Sequence, residues 1–243
     1  MERDLNTVKI RRAPAARAGS GGQKQGPRPG RGRGSSRARG YHHGDLHGQL
    51  VAATEALIRE RGVDGFSLRE VARRAGVSPA APAHHFGDAR GLLSEVALRG
   101  FREFGDALAA ADEAAGPDPA RRLHAQGRAY VAFALRHPAR FQLMFQHGKC
   151  DMAYKDLAAT AERAYRVLEN AVRAAMELAP DAPMTPDASG FLMATWSVVH
   201  GFAHLALGGE LDLAARAHGG RGAILNSFLP LMLKFLPVPE PRA

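Results

Sequence analysis

Two imidazoles and one thiol have the strongest capacity for chemistry in this sequence. His200 and His204 lie four residues apart, with Trp196 one turn earlier, so all three share one ridge of a predicted helix. This spacing could hold a metal ion, but no carboxylate or thiol shares the ridge to complete a ligand set. Cys150 would need a base within hydrogen-bond reach, and nothing in the sequence brings His200 to it. The chain also lacks a Ser/His/Asp order, paired carboxylates on one face and a phosphate-cradling glycine loop. We therefore predict that it is not an enzyme and has no catalytic residue, metal or cofactor.

The segment 67–86 has a spacing that suits recognition rather than catalysis. Its first residue, a serine, can N-cap a helix, with Glu70 completing a capping box. Gly76 suits the left-handed conformation that follows a helix end. Ser78 can cap a second helix that begins at Pro79 and carries mostly small side chains. Two short helices joined by a glycine turn are typical of a helix-turn-helix, in which the second helix enters the DNA major groove.

A wider set of residues resembles the DNA-binding domain of TetR-type transcriptional regulators. The matching residues are Glu60-Arg61-Gly62, Phe66-Ser67-Leu68-Arg69-Glu70-Val71-Ala72, Ala75-Gly76-Val77-Ser78, His84-His85-Phe86 and Leu92-Leu93. Two further fragments, Tyr41-His42-His43-Gly44-Asp45-Leu46 and Trp196-Ser197-Val198-Val199-His200-Gly201, resemble members with a WHG-type ligand domain. The resemblance covers about residues 41–236, and it is strong in the N-terminal part and loose after residue 110.

The resemblance implies an all-α fold in two parts. A three-helix helix-turn-helix domain would span residues 44–104, and a long fourth helix would join it to a ligand-binding and dimerisation domain over 112–236, followed by a tail over 237–243. It also implies a homodimer on a pseudo-palindromic DNA operator and a small-molecule effector. The DNA-contacting residues, carried over by position, are Ser67, Arg69, Ser78, Pro79, Ala80, Ala81, Ala83, His84 and His85.

This chain departs from the family pattern at three positions near the predicted DNA face. Ala83 stands where a phosphate-contacting tyrosine is usual, and Ala89 stands where a lysine is usual, with Arg90 beside it. Losing two backbone contacts should weaken overall affinity and flatten its salt dependence. Pro82 resembles the WHG subgroup, and it predicts a short or distorted recognition helix because it lacks an N–H.

The excess positive charge of the chain lies in residues 1–40. This segment has eleven Lys and Arg against two acids, which accounts for the whole formal charge of +9. Its Gly, Pro, Ser and Arg content predicts disorder. It is interpreted either as a solvated tail or as an arm that adds phosphate contacts. The single cysteine and the lack of an apolar run after Arg12 suit a cytoplasmic protein.

The remaining chain alternates apolar helical segments with proline and glycine breaks. Helices are predicted over 44–61, 88–111, 121–136, from 138, 151–178, 185–207 and 221–236, with no confident strand. The aromatic and imidazole side chains of the C-terminal part predict an effector cavity, the alternative being an ordinary core. The candidate lining residues are Tyr130, Phe141, Met144, Phe145, Tyr165, Met193, Trp196, His200 and His204.

The last two predicted helices have more apolar surface than one core can cover. The helix over 185–207 has two apolar faces, and the helix over 221–236 is apolar nearly all round. We therefore predict a dimer through a four-helix bundle. Its interface residues would be Phe202, Leu205, Ile224, Leu225, Phe228, Leu229 and Met232. The resulting hypothesis is a repressor released by a small molecule; alternatives are a DNA-binding regulator without an effector and a ligand-binding protein that does not bind DNA.

Overall fold

The structure, a computed structural model, describes residues 45–146 and 148–235, and all regular secondary structure within them is helical, which confirms the all-α class. The predictions for the tail 1–40, for 41–44 and for 236–243 lie outside these residues. The helices are α1 (Leu46–Arg61), α2 (Leu68–Ala75), α3 (Ala81–Phe86), α4 (Ala89–Ala114), α5 (Pro119–Arg136), α6 (Pro138–Met144), α7 (Leu157–Ala175), α8 (Pro186–Gly208), α9 (Asp212–Ala217) and α10 (Leu229–Lys234). The described residues all belong to one compact unit.

The boundaries of the first two helices lie at residues whose side chains or backbone favour a helix end. The Asp45 carboxylate caps α1 by accepting from the Gly48 N–H at 2.8 Å. The Ser67 hydroxyl caps α2 by accepting from the Glu70 N–H at 3.3 Å. Gly76 ends α2 in the left-handed region, with φ 69°. The Glu70 carboxylate does not complete a capping box; it accepts instead from the Arg73 side chain.

The recognition helix α3 is short, with six residues, as Pro82 predicts, but it begins at Ala81 rather than at Pro79. A helix capped by Ser78 and begun at Pro79 would need the residue at position 82 to donate to the Ser78 carbonyl. Pro82 has no N–H, so that bond cannot form. The Ser78 carbonyl instead accepts from the Ala81 N–H at 3.0 Å in a turn, and the helix begins at Ala81. Pro82 then lies in the first turn of α3, where a missing N–H is harmless.

Two other helix starts differ from the predictions, and one helix was not predicted. Helix α5 begins at Pro119 because the Asp118 carboxylate accepts from the Ala120 N–H at 2.9 Å. Helix α7 begins at Leu157 rather than 151, because residues 148–156 form a loop bound to α4. The short helix α9 was not predicted.

The last helical segment is not one regular helix. Residues Ile224–Phe228 form a π-helical turn before α10, closed by the Leu229 N–H donating to the Ile224 carbonyl. Pro230 follows directly, and its ring would crowd the carbonyl four residues earlier in a regular α-helix. The wider π turn relieves that crowding.

Two large hydrophobic clusters organise the fold. The first joins α1, α2 and the N-terminal half of α4, and it also includes Ala139 and Leu143 of α6, Cys150 and Leu157. The second lies between the C-terminal half of α4 and helices α5, α6, α7, α8 and α10. Helix α4 contributes to both clusters, so one continuous helix is packed at each end.

The carboxylate of Glu95, on α4, fixes the 148–156 loop. It accepts from Lys155 Nζ at 2.6 Å, from the Tyr154 hydroxyl at 3.0 Å and from Arg99 Nε at 3.2 Å. Burial acts to raise its pKa, but these three donors outweigh burial and hold the pKa of Glu95 below its usual range. Glu95 is 5% exposed, so this network is a buried connection between α4 and the loop.

We expect Glu95→Gln to lower the free energy of unfolding by about 1.5 kcal/mol at neutral pH, since hydrogen bonds to a charged group are lost. Because the folded pKa is depressed, the contribution of Glu95 is complete above its unfolded pKa, about 4.3, and is lost as pH falls through the folded pKa. The difference between wild type and variant should therefore shrink in acid. Urea unfolding across this pH range measures it. The control is Glu162→Gln, which removes an exposed pair with Arg166 and should change stability by about 0.5 kcal/mol or less.

Candidate functional site

The residues predicted to contact DNA form one solvent-facing surface, called here the α2–α3 face. The exposed members are Ser67, Arg69, Ser78, Pro79, Ala80, Ala83, His84 and His85, and Ala81 is partly buried. Pro82 and Phe86 point inward and are buried. Phe86 belongs to the first cluster and anchors α3 to it, so the small and imidazole side chains of α3 face outward from a fixed helix.

Acidic neighbours neutralise two of the three arginines of α2. Glu70 accepts from Arg73 Nε at 2.9 Å and Nη2 at 2.6 Å, and these hydrogen bonds lower the pKa of Glu70 to about 2. The Glu60 carboxylate accepts hydrogen bonds from Nη1 and Nη2 of Arg74, at 2.8 and 2.6 Å. Arg69, in contrast, has no ion pair within residues 45–146 and 148–235. Its guanidinium therefore has the freest positive charge of this helix.

The predicted departures at positions 89 and 90 have a structural consequence. Ala89 is exposed at the start of α4, and Arg90 donates from Nη2 to the Cys150 carbonyl at 3.0 Å. Arg90 is thus tied to the 148–156 loop rather than standing free in place of a lysine. Burial raises the pKa of the Cys150 thiol to about 11, so the thiol stays protonated and is a poor nucleophile.

A cavity of about 70 Å³ lies within the second cluster. Its walls come from α4, α5, α7 and α8, with Phe145 following α6. The lining residues are Phe101, Phe104, Leu108, Leu123, Gln126, Gly127, Tyr130, Phe145, Ala161, Ala164, Tyr165, Leu168, Thr195, Trp196 and Val199. None of them carries a formal charge, so the wall is apolar and aromatic with few polar groups.

Four of the nine residues predicted for an effector cavity line this one: Tyr130, Phe145, Tyr165 and Trp196. Phe141 and Met144 are buried in the adjoining core instead. Met193 departs from the prediction because it lies on the surface, 42% exposed. His200 and His204 border a separate groove with Arg61 and Gln142, so they are not cavity residues either.

His200 is nevertheless connected to the cavity wall. Its Nδ1 lies 2.6 Å from the Tyr130 hydroxyl, which also accepts from Trp196 Nε1 at 3.2 Å. Burial lowers the pKa of His200 and raises that of Tyr130, so both stay neutral at physiological pH. No group of three or more potential metal ligands occurs in the described part of the chain, so His200 and His204 lack a third ligand there.

Sequence reasoning missed the contributions of α4 and the polar pair Gln126 and Thr195. Phe101, Phe104 and Leu108 of α4 line the cavity but were not among its predicted residues. Gln126 interrupts the apolar stripe of α5, between Leu123 and Tyr130. A polar residue on an otherwise buried face is the signal that could have located the cavity.

The predicted dimer residues divide into two groups. Ile224 and Leu229 are 1% and 0% exposed within a single protomer, which corrects their assignment to an interface. Both face inward because the π turn rotates this segment relative to a regular helix. The others, Phe202, Leu205, Leu225, Phe228 and Met232, remain at least partly exposed, and Leu231 and Phe235 of the same C-terminal segment are also exposed.

Helix α8 is long and apolar enough to cross a membrane by length and composition alone, although core helices pass the same test. Only 33% of its most apolar window is buried inside the protomer. This leaves a large apolar surface that another protein surface could cover.

Comparison with protein families gives two matches that do not overlap. Residues 50–96 match the model described as "Bacterial regulatory proteins, tetR family". Residues 123–219 match the model described as "Tetracyclin repressor-like, C-terminal domain". The first match contains the α2–α3 face, and the second contains most of the cavity wall.

Curated relatives match over a limited length. The HTH-type transcriptional regulator BetI of Stenotrophomonas maltophilia is 38% identical over 77 residues, which are 32% of this chain and 39% of that protein. BetI of Burkholderia cenocepacia is 39% identical over 77 residues, again 32% of this chain and 40% of the relative. The match therefore spans about two fifths of the length of these relatives.

Solved structures are similar over most of the chain. A protein of unknown function from Rhodococcus sp. RHA1 is 33% identical with a TM-score of 0.62, covering 81% of this chain and 97% of that one. The TetR family transcriptional regulator PfmR of Thermus thermophilus is 20% identical with a TM-score of 0.57, covering 78% and 99%. The second similarity establishes a common fold.

Proposed function

The chain belongs to the TetR family of bacterial regulatory proteins, and we propose that it is a DNA-binding transcriptional repressor released by a small-molecule effector. The main observation in support of this proposal is that α4 contacts both the DNA-binding part of the chain and the cavity. Its N-terminal half packs beneath the α2–α3 face through Leu92 and Leu93. Its C-terminal half lines the cavity with Phe101, Phe104 and Leu108.

The α2–α3 face suits a DNA groove. Alanine side chains at 80 and 83 allow the backbone of α3 to approach closely, and their methyl groups can pack on thymine methyl groups. His84 and His85 can donate to base edges or phosphates, while Arg69 can bind a phosphate. We propose the nine carried-over residues as the DNA contacts, with Arg73 and Arg74 held in ion pairs beside them.

A ligand in the cavity could act on this face through α4. The helix has 26 residues and is therefore about 39 Å long. Displacing Phe104 or Leu108 would tilt α4 and carry α3 with it. In a dimer this changes the separation of the two recognition helices from about 34–36 Å, the value that one DNA turn requires. The ligand must bind the two arrangements unequally, since otherwise it shifts nothing.

A dimer through α8 and the segment 224–235 supplies the second recognition helix. We expect Leu205→Glu, at a position 48% exposed, to convert the protein to a monomer, because a carboxylate would be buried at the apolar contact. Sedimentation velocity at micromolar concentration measures the change. Met152→Glu is the matched control, since Met152 is equally exposed but lies in the 148–156 loop. A dimer that survives Leu205→Glu would contradict this interface.

Several finer assignments extend the proposal. The fragments at 41–46 and 196–201 support the WHG subgroup, and a bacterial cytoplasmic location suits a regulator that binds DNA. No enzymatic activity is proposed, because the Cys150 thiol is buried and the regulators named above are not enzymes. A regulator with no effector is the second candidate, favoured by the cavity being smaller than the roughly 300–1,000 Å³ of most ligand pockets.

The proposal is tested by a gel shift with the DNA upstream of the protein's own gene, at two salt concentrations. We expect a discrete dimer-sized complex that resists competitor DNA. Only salt-sensitive binding to any duplex would argue against a specific regulator. Release of the complex by a compound that also changes the fluorescence of Trp196, the single tryptophan of the chain, would separate the first candidate from the second.

A further inference from the structure

Two buried oxygen atoms in the cavity wall lack a hydrogen-bond partner within the described residues. They are Gln126 Oε1 and Thr195 Oγ1, on α5 and α8, and their residues are 3% and 4% exposed. A buried polar atom without a partner costs about 1–3 kcal/mol, so proteins seldom retain one without a use. Both occur in one cavity, which indicates that they meet a ligand.

The hydrogen bonds of Gln126 decide what its free atom can do. Its Nε2 donates to Asp112 Oδ1 at 2.6 Å and to the Val167 carbonyl at 3.3 Å. A carboxylate oxygen can only accept, so the amide atom of Gln126 that lies 2.6 Å from Asp112 Oδ1 must be the nitrogen. The amide oxygen is therefore the atom without a partner. Oε1 is therefore an acceptor only, and a ligand must bring it an N–H or an O–H.

Asp112 does not offer a charge to the cavity. Arg122 pairs with it through Nε at 2.9 Å and Nη2 at 2.5 Å, which neutralises the carboxylate and leaves it outside the lining. The Tyr130 hydroxyl is also occupied, by Trp196 and His200. The free polar groups of the wall are thus one acceptor and one hydroxyl, within a surface that is otherwise aromatic and aliphatic.

We propose that the cavity takes a small, uncharged, largely apolar molecule, preferably aromatic, with one hydroxyl-like group that donates to Gln126 Oε1 and accepts from the Thr195 hydroxyl. This inference rests on the effector cavity of the proposed function. A charged ligand is excluded because no lining side chain carries the opposite charge to offset its desolvation. An apolar ligand without a donor leaves both oxygen atoms unsatisfied, so it binds more weakly than a donor of the same shape.

Phenol, toluene and benzoate are probes that separate these classes. Phenol and toluene have nearly the same shape, but only phenol has a donor, and benzoate has a charge. Binding is followed by the fluorescence of Trp196 in the full-length protein, with calorimetry as a second readout. We expect phenol to bind about tenfold more tightly than toluene, equivalent to one hydrogen bond to a buried partner, and benzoate not to bind.

Thr195→Val keeps the side-chain shape and removes the hydroxyl, and Gln126→Met removes the acceptor while Arg122 still pairs with Asp112. Each variant should reduce the preference for phenol to about twofold or less.

Thr195→Val should not lower thermal stability, because the hydroxyl it removes has no partner within the described residues. The matched control is Thr54→Val, in the first cluster, whose hydroxyl donates to the Leu50 carbonyl at 2.8 Å. It should lower stability slightly and leave the preference for phenol unchanged.

Equal binding of phenol and toluene, tighter binding of benzoate, or no binding of any probe would overturn the inference. A gel shift on the operator without any ligand is run in parallel. If that shift is specific, failure of the probes refutes the ligand class alone. If it is absent, the proposed DNA-binding function fails independently of the cavity.

Discussion

Replacing Ala83 by glutamate is expected to weaken specific DNA binding by about 100-fold or more without unfolding the protein. Ala83 is exposed in the first turn of α3, so the new side chain meets solvent in the free protein and should change stability by about 0.5 kcal/mol or less. On DNA, the carboxylate would face phosphates or base-edge acceptors, and such like-charge contacts cost several kcal/mol. Fluorescence anisotropy with a specific duplex measures the change.

The matched control is Ala110→Glu, which makes the same substitution at an exposed position in the C-terminal half of α4. It adds the same charge to the chain, so it corrects for the general loss of attraction to DNA. Its affinity should stay within about threefold of wild type. Equal losses for the two variants would mean that the α2–α3 face does not contact the DNA.

The second large effect concerns Leu143, which lies on α6 but packs in the first cluster. We expect Leu143→Ala to lower the free energy of unfolding by about 2–5 kcal/mol, because the side chain is 0% exposed and its loss leaves a cavity. The cluster joins α6 to α1 and α4, so the loss should also lower the stability of the helix-turn-helix. Urea unfolding followed by circular dichroism measures it.

Leu213→Ala is the control, since Leu213 is 82% exposed and its truncation should change stability by about 0.5 kcal/mol or less. Amide hydrogen exchange then tests the location of the effect. Faster exchange in α1 and α2 of Leu143→Ala would support a shared core. Unchanged exchange there, with faster exchange confined to α6 and α7, would show that the two parts of the chain unfold separately.

Local sequence signals predict most of the helices but fail where neighbouring residues favour different starting points for one helix. Asp45, Ser67 and Asp88 each accept from a first-turn N–H, and these caps could be read from residue type and position. Ser78 followed by Pro79 is an equally good signal for a helix that begins at Pro79. Pro82, which cannot donate to the Ser78 carbonyl, overrides it and moves the start of α3 from Pro79 to Ala81.

The cavity could be predicted only in part, because its walls depend on how far each helix rotates against its neighbours. Gly127 illustrates this: a Cβ there would lie 2.9 Å from Leu233 Cδ2 and 3.3 Å from Val199 Cγ1. The close approach of α5 to α8 and α10 at this glycine sets which side chains face the cavity. Such a contact joins residues that are far apart in the sequence, so no periodicity along the chain shows it.

The most direct test of specific DNA recognition is selection of duplexes from a random library with the wild-type protein, followed by sequencing. We predict enrichment of one pseudo-palindromic sequence whose half-sites lie one helical turn apart, about 10–10.5 base pairs, or a multiple of it. Its affinity should exceed that for unselected DNA by about 1,000-fold or more at physiological salt. Recovery of unenriched DNA, bound only through salt-sensitive contacts, would contradict the assignment of the α2–α3 face as a sequence-reading surface.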